Sequence, residues 1–330
     1  MSTHREFHFV KPPEGLPTSA CFELIETATP QPGEGEVLVA TRYLSIDPYF
    51  RNAMAGIGYG LQPGRTMIGR GCGVVVKSRH DRFVEGDAVQ GEFGWRERVI
   101  LKGNGLRKLP ADLEPMSLSL GAVGQSAATA WVGLYDVAGM TGGETVVVSA
   151  AAGAVGSAAG QIAMLAGCRA VGIAGGPEKC RYVIDELGFA DCIDYKAGDL
   201  DAAFRAAVPE GFDIYFDNVG GDILDTALLF ARERARIPVC GQISQYNAEH
   251  ARPLRNVGQI LGQSLIIQGF KIGARLEARD AALVEVERLW RGGRLKWHET
   301  VSDGFETAPA ALINMLTGGN VGKQVVRVGE

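Results

Sequence analysis

Residues Ala151-Ala152-Gly153-Ala154-Val155-Gly156 have the types and spacing that most clearly prepare a chemistry. Two glycines three positions apart, among side chains no larger than valine, let a backbone approach a diphosphate closely. Gly153 admits the pyrophosphate, and Gly156 admits a helix close to a strand. The first amides of a helix starting here lack partners within the helix, and the helix dipole favours an anion beside them. The usual fingerprint has glycine where Ala151 stands, so the pattern is AxGxxG. The chemistry it prepares is the holding of a dinucleotide.

The flanking sequence supplies the elements this turn needs. Val146–Val148 is a short β-branched run, the pattern of a buried parallel strand. Small and apolar residues then continue to about Ala166 as a helix, and a second strand follows. From about Thr145 to Trp297 strands and helices alternate. Candidate strands are Thr145–Ser149, Ala170–Ala174, Cys192–Asp194, Ile214–Asp217, Arg236–Cys240 and Leu265–Phe270. Helices are expected at Pro177–Leu187, Leu200–Val208, Ile223–Ala231 and Ala278–Arg291, with Pro177 suited to a first helical position and Gly188 to a helix end. Alternation of this kind builds an α/β fold with a doubly wound parallel sheet. Two other readings of the segment exist. No charge falls between Thr145 and Cys168, a length that could span a bilayer, but Ser149, Ser157, Gln161 and several glycines argue against a span. A Rossmann-like site for another adenosine ligand, such as S-adenosylmethionine, is left open by the motif alone.

The chain reads differently before about Gly121. Short β-type runs at Glu36–Ala40, Gly73–Lys77, Ala88–Phe93 and Glu97–Leu101 are separated by turn residues, as in Pro30–Gly35 and Val84–Asp87. A helical stretch around Ala122–Tyr135 bridges into the alternating region. The tail, Asp303–Glu330, holds one more helix and a strand, Gln324–Val328, able to return to the first domain. A chain of 330 residues is too long for one ordinary core. The expected division is 1–122 with 300–330 as a mostly β domain, and 123–299 as the dinucleotide-binding domain.

A net charge of −5 gives no reason to expect nucleic acid as a partner. The N-terminus is charged at once and has no apolar signal core, so a cytoplasmic, non-membrane protein is expected. The six cysteines are scattered with no CxxC pair, the pattern of buried thiols and not of a zinc site or redox pair.

The nucleotide type is set where the second strand ends. NAD-binding units place a carboxylate there for the ribose hydroxyls; this chain has Ala174-Gly175-Gly176-Pro177. Without that carboxylate a 2′-phosphate meets no repulsion, and Lys179 stands in the next helical turn within reach of it. The expected cofactor is NADP(H).

Several further motifs occur in a telling order: Tyr43-Leu-Ser-Ile-Asp-Pro-Tyr-Phe-Arg51, Gly175-Gly-Pro-Glu-Lys179, Ile193-Asp-Tyr195, Phe216-Asp-Asn-Val-Gly-Gly221, Cys240-Gly-Gln-Ile-Ser-Gln-Tyr246 and Gly319-Asn-Val-Gly-Lys323. With them the chain resembles, over essentially its whole length, the zinc-independent branch of the medium-chain dehydrogenase/reductase superfamily. Within it the similar group holds prostaglandin reductases, leukotriene dehydrogenases, plant double-bond reductases and curcumin-reductase-like proteins. The resemblance implies a GroES-like catalytic domain beside the Rossmann domain, and NADPH-dependent reduction of α,β-unsaturated ketones and aldehydes. It implies that Gly153, Ala154, Val155 and Gly156 hold the pyrophosphate, that Lys179 and Tyr195 meet the 2′-phosphate, and that Asn218 and Asn320 lie along the nicotinamide half. Cys240, Gly241, Ile243, Ser244 and Tyr246 run beside the nicotinamide, with Phe270, Lys271 and Ile272 adding wall; relatives are often dimers. Zinc-dependent relatives carry a ligand cysteine in the segment matching Ser45-Ile46-Asp47 and a Gly-His-Glu later; here the later segment is Gly69-Arg70-Gly71, and no metal is expected.

The implied chemistry suits a site without a metal. Hydride transfer to the β-carbon of an enone leaves charge on an enolate oxygen, which hydrogen-bond donors stabilise. The candidate donors are the Tyr246 hydroxyl and the cofactor's ribose 2′-hydroxyl. A tyrosine of ordinary pKa, near ~10, is neutral and able to donate at pH 7. The α-carbon then takes a proton from solvent or through Tyr246. Tyr49 and Tyr59 are weaker catalytic candidates and fit better as pocket wall. Arg51 fits either an anionic substrate tail or a structural salt bridge, and Asp47 reads as a turn residue before Pro48. A quinone reductase, or an NADPH-binding sensor without turnover, are the alternative functions.

Overall fold

The protein is described from a computed structural model, covering residues 2–58 and 60–329. Tyr59 lies outside the described residues. The chain divides into two compact units, Met1–Gly121 with Glu299–Glu330, and Ala122–His298.

The second unit is built on a six-stranded sheet in which every neighbouring pair is parallel. Its spatial order is Asp191–Asp194, Arg169–Ala174, Thr145–Ser149, Phe212–Phe216, Ala231–Val239, Ile266–Gly269. The chain starts in the middle, winds to one edge, returns and winds to the other. The reversal falls between Thr145–Ser149 and Phe212–Phe216, the switch point at which such sheets open a ligand crevice. The apolar run Val146–Val148 is continuous because both faces of that strand are covered. Val146, Val148, Ile214 and Phe216 face the helix Ala154–Leu165 through Ala158, Ala159 and Ile162. Val147, Val171, Ile173 and Tyr215 face Phe204, Leu224 and Leu228 on the other side.

The strand expected at Arg236–Cys240 begins five residues earlier, at Ala231. Its first turn-side residues are charged, and Arg232 is held by an ion pair to Asp213 at 2.8 Å. Hydrophobic patterning is blind to a strand start secured by charge. The helix expected over Pro177–Leu187 starts as an α-helix, Pro177–Arg181, and widens into a π-helical turn, Tyr182–Glu186, before Gly188 at φ 84°.

The first unit is β-rich and GroES-like. A seven-stranded sheet contains the four β runs expected from sequence, now bounded as Glu36–Ser45, Arg70–Ser78, Ala88–Glu92 and Arg98–Lys102. The tail returns to it: Lys323–Arg327 pairs antiparallel with Glu36–Ser45, with Val325 opposite Ser45. Thr3–Phe9 and Phe22–Ala28, not singled out from sequence, pair in a second sheet. Phe7 and Phe9 point inward there, but the intervening charges hide the alternation. No described helix is long and apolar enough to cross a membrane.

Candidate cofactor and active site

The glycine turn sits at the carboxyl end of the central strand. Gly153 is the N-cap of helix Ala154–Leu165, with extended backbone and no side-chain cap, so the first amides are offered to a ligand. Its N–H donates to the Ala150 carbonyl at 2.9 Å, closing the turn. A Cβ at Gly156 would stand 2.2 Å from the Ala150 oxygen, so only glycine lets the helix rest on this turn. The fingerprint position Ala151 is fully buried, its methyl packed towards Gly172. The left-handed residue is its neighbour Ala150, at φ 51°. A methyl-bearing residue there carries strain of roughly 1–2 kcal/mol.

One strand over, the loop Gly175-Gly176 leads into the helix that carries Lys179. Gly176 has φ 98° and donates its N–H to Asp194 Oδ1 at 2.8 Å; the Lys196 amide donates to the same oxygen at 3.0 Å. Asp194 thereby fixes the loop. A Cβ on Gly175 would fall 2.8 Å from the Tyr195 ring, so the missing side chain is what lets the ring lie over the loop. The Lys196 ammonium stands 5.9 Å from the centre of that ring. Burial, together with the charge of Lys196, holds the half-buried Lys179 ammonium below the usual lysine range. Two like charges sharing one corner form a positive pocket suited to a phosphate. Lys196 was missed from sequence. Its signal was available: a lysine just beyond the third strand of a dinucleotide unit.

At the switch point the two central strands are joined by polar groups at their carboxyl ends. Ser149 is fully buried; its Oγ donates to Asp217 Oδ1 at 3.2 Å and accepts the Asn218 N–H at 2.8 Å. Asn218 Nδ2 donates to the Ser149 carbonyl at 2.8 Å, so both ends of this candidate residue are oriented. Asp217 Oδ1 also accepts the Val219 and Gly220 amides, each at 3.0 Å. Burial raises the Asp217 carboxyl, and those amides with the Ser149 hydroxyl oppose the rise. Ser149 and Asp217 were passed over as site supports. The readable sign was a polar residue closing each of two apolar parallel strands.

The segment after Ala231–Val239 lies across this edge. The Cys240 and Gly241 amides donate to the Asp217 carbonyl at 2.8 and 3.2 Å, and Ile243 and Ser244 amides to Asn218 and Val219 at 3.3 and 3.2 Å. Burial, with the Asp217 charge beside it, pushes the Cys240 thiol up to about 12, making it a neutral wall residue. The Tyr246 hydroxyl accepts the Gln242 N–H at 3.1 Å. A Cβ on Gly241 would lie 3.2 Å from that hydroxyl. Phe270 follows the neighbouring strand, its N–H on the Val239 carbonyl at 3.2 Å, and Lys271 is exposed. Ile272 sends its side chain into the core with Ala128, Val132 and Ala282, which leaves only its backbone to a ligand.

The remaining candidates belong to the first unit. Tyr49 opens the short helix Tyr49–Met54, half-buried, and Asn320 precedes the last strand, its Nδ2 donating to the Gly322 carbonyl at 2.9 Å. Arg51 is buried and donates Nε to the Gly15 carbonyl at 3.0 Å. Asp47 does more than shape a turn: its Oδ1 pairs with the buried Lys323 ammonium at 2.7 Å. Among the described residues, no group of three or more His, Cys, Asp or Glu side chains is placed to hold a metal ion.

Residues 5–109 match a family model described as the N-terminal domain of oxidoreductase, and residues 154–287 one described as zinc-binding dehydrogenase. The chain is 44% identical over 320 residues to prostaglandin reductase 1 of Rattus norvegicus, covering 95% of this chain and 96% of the relative. It is 39% identical over 334 residues to the NADPH-dependent curcumin reductase of Escherichia coli, covering 98% and 97%. The crystal structure of CurA in complex with NADPH from Vibrio vulnificus superimposes with a TM-score of 0.93 at 36% identity, over 99% of each chain.

Proposed function

The chain belongs to the prostaglandin reductase 1 and curcumin reductase family of the medium-chain dehydrogenase/reductase superfamily, and on that premise we propose that it is an NADPH-dependent reductase of the C=C bond of α,β-unsaturated ketones and aldehydes. The observation that supports this reading is the Tyr246 hydroxyl, which accepts the Gln242 N–H at 3.1 Å beside the carboxyl ends of the two central strands.

The cofactor fits the residues present. The uncapped start of helix Ala154–Leu165, with Gly153, Ala154, Val155 and Gly156, seats the pyrophosphate. Lys179 and Tyr195 take the 2′-phosphate. Asn218 serves the nicotinamide half, with Cys240, Gly241, Ile243, Ser244, Phe270, Lys271 and the Ile272 backbone as its wall, and Asn320 is the cofactor-binding candidate of the β-rich unit. When bound, NADPH supplies the hydride that reaches the β-carbon of the acceptor. Tyr246 donates its hydroxyl hydrogen to the carbonyl oxygen, where the enolate charge develops; one such donor is worth ~3 kcal/mol of barrier. The α-carbon takes its proton from solvent or through Tyr246. Tyr49 serves as substrate wall in the β-rich unit, and the parallel-sheet unit serves as the cofactor domain.

A panel of enones, enals and quinones tests the reading by NADPH consumption. Turnover of an enone such as 3-nonen-2-one to the saturated ketone is expected. Turnover of quinones alone makes the chain a quinone reductase. Stable NADPH binding with no turnover of any acceptor makes it a binding protein.

A homodimer is part of the proposal. Strand Ile266–Gly269 is the outer strand of its sheet, with Ile266 51% and Ile267 36% exposed. Pairing with the same strand of a second copy would satisfy its open backbone edge. Light scattering should give twice the 35.1 kDa chain mass; a monomer at micromolar concentration would refute it.

A further inference from the structure

Two motifs of the first unit, Ser45-Ile-Asp-Pro-Tyr49 and Gly319-Asn-Val-Gly-Lys323, hold candidate site residues but are far apart in sequence. They meet through one ion pair between a buried ammonium and a partly exposed carboxylate. Lys323 is 2% exposed, and its Nζ donates to Asp47 Oδ1 at 2.7 Å and to the Ile46 carbonyl at 2.8 Å. Asp47 Oδ2 accepts the Ser45 hydroxyl, which fixes the carboxylate from its other side. The backbone register explains the meeting. Val325 stands opposite Ser45 in the antiparallel pair, and the Ile46 N–H continues the ladder to the Gln324 carbonyl at 3.1 Å. One step further the same register sets Asp47 opposite Lys323.

Such a pair is a poor device for stability alone, because desolvation of the buried ammonium offsets much of the attraction. Its gain is directional. The ammonium donates to the carboxylate and to the Ile46 carbonyl together, which ties both to the end of the Lys323 side chain. Tyr49 begins its helix two residues after Asp47, and Asn320 lies three residues before Lys323. The Asn320 turn is tied down further: the Thr300 hydroxyl donates to the Val321 carbonyl at 2.7 Å and accepts the Val321 N–H at 3.1 Å.

We propose that the Asp47–Lys323 pair is a positioning clamp, which holds the Tyr49 helix and the Asn320 turn of the β-rich unit in fixed register with each other. Lys323 and Asp47 touch neither cofactor nor substrate. The proposal rests on the assignment of Tyr49 and Asn320 to the site.

The test uses three variants of the full chain: Lys323→Met, Lys323→Arg, and the double variant Asp47→Asn/Lys323→Met. Lys323→Met leaves the partly exposed Asp47 carboxylate without its ammonium and should lower Tm by about 5 °C. The double variant removes both charges and keeps an acceptor for Ser45, so Tm should recover to within a few degrees, about 3 °C. Its kcat should stay depressed by roughly ten- to a hundred-fold, the scale of a site misplaced by about 1 Å. NADPH Kd by fluorescence should change less than about three-fold, since the phosphate contacts lie in the other unit. Hydrogen exchange should quicken at 49–54 and 320–322 and nowhere in 145–176. Lys323→Arg should keep Tm and lose part of kcat, because the larger planar guanidinium cannot reproduce the compact ammonium's placement.

A double variant with wild-type kcat and unchanged exchange at both segments overturns the proposal. So does a kcat loss that only tracks the folded fraction, or failure of all three variants to fold, which would make the pair a folding element. Exchange is read without substrate, so the clamp is judged separately from the function. A wild-type chain that turns over no enone defeats the proposed activity; unchanged exchange defeats the clamp.

Discussion

The two corners of the parallel-sheet unit proposed to hold the cofactor's phosphates are built by opposite means. The turn at 150–156 uses no charged side chain at all. It relies on an uncapped helix start, on Gly156 where a Cβ would stand 2.2 Å from a carbonyl, and on the strained Ala150. The corner at Lys179 relies on side chains: two ammonium groups, one aromatic ring, and Asp194 holding the loop. Backbone and dipole serve any pyrophosphate and are indifferent to the ribose. Side-chain charge discriminates, and it titrates. The first corner should therefore govern whether a dinucleotide binds, and the second which one.

The largest effect that would break this contrast is at Gly156. Gly156→Val forces the helix off the Ala150 carbonyl, and affinity for NADPH and NADH should fall together by ~100-fold or more in fluorescence titrations. A variant that discriminates between the two nucleotides would show that the turn does not seat the part they share.

Lys179→Ala should act the other way. Loss of one charge-assisted contact should weaken NADPH by roughly ten- to a hundred-fold and leave NADH unchanged. Equal losses would remove the lysine from the 2′-phosphate. The same residue sets a pH signature. Its ammonium is held below the usual lysine range, so the attraction is complete below that lowered value and is lost as pH rises through it. NADPH affinity should decline on the alkaline side while NADH affinity stays level; parallel curves would contradict the assignment.

The smallest expected effect sharpens the backbone side. Ala150→Gly relieves a left-handed alanine at some cost in unfolded-chain entropy, for a net gain of roughly 0.5–1 kcal/mol in chemical denaturation. Destabilisation would mean that the Ala150 methyl, which packs against the Val147 core, outweighs the strain.

The contrast also explains what could be read from sequence. Glycines leave a mark: Gly153, Gly156, Gly175 and Gly176 stand where the backbone must come close or turn left-handed, and the flanking apolar runs reveal the strands that carry them. The strand Thr145–Ser149 was legible to the residue for that reason. Contacts between distant positions leave no such mark. Nothing local tells that Asp47 answers Lys323, and the local signs of Asp217 and Lys196 mark them as polar strand ends without showing which groups they meet. Ala151 was treated as the irregular position of the fingerprint, whereas the irregularity falls on Ala150, because φ is decided by the turn as a whole. The charged start of Ala231–Val239 escaped for a related reason: its partner Asp213 lies on another strand.

The central claim is that NADPH reduces the C=C bond of a conjugated carbonyl in this protein, and transfer of isotope tests it most directly. The chain is incubated with NADPH carrying deuterium at the transferable position, and with 3-nonen-2-one, and the product is analysed by mass and NMR. The account predicts a saturated ketone with one deuterium on the former β-carbon. Deuterium on the carbonyl carbon of an alcohol, or unlabelled starting enone after NADPH binding has been verified, would contradict it.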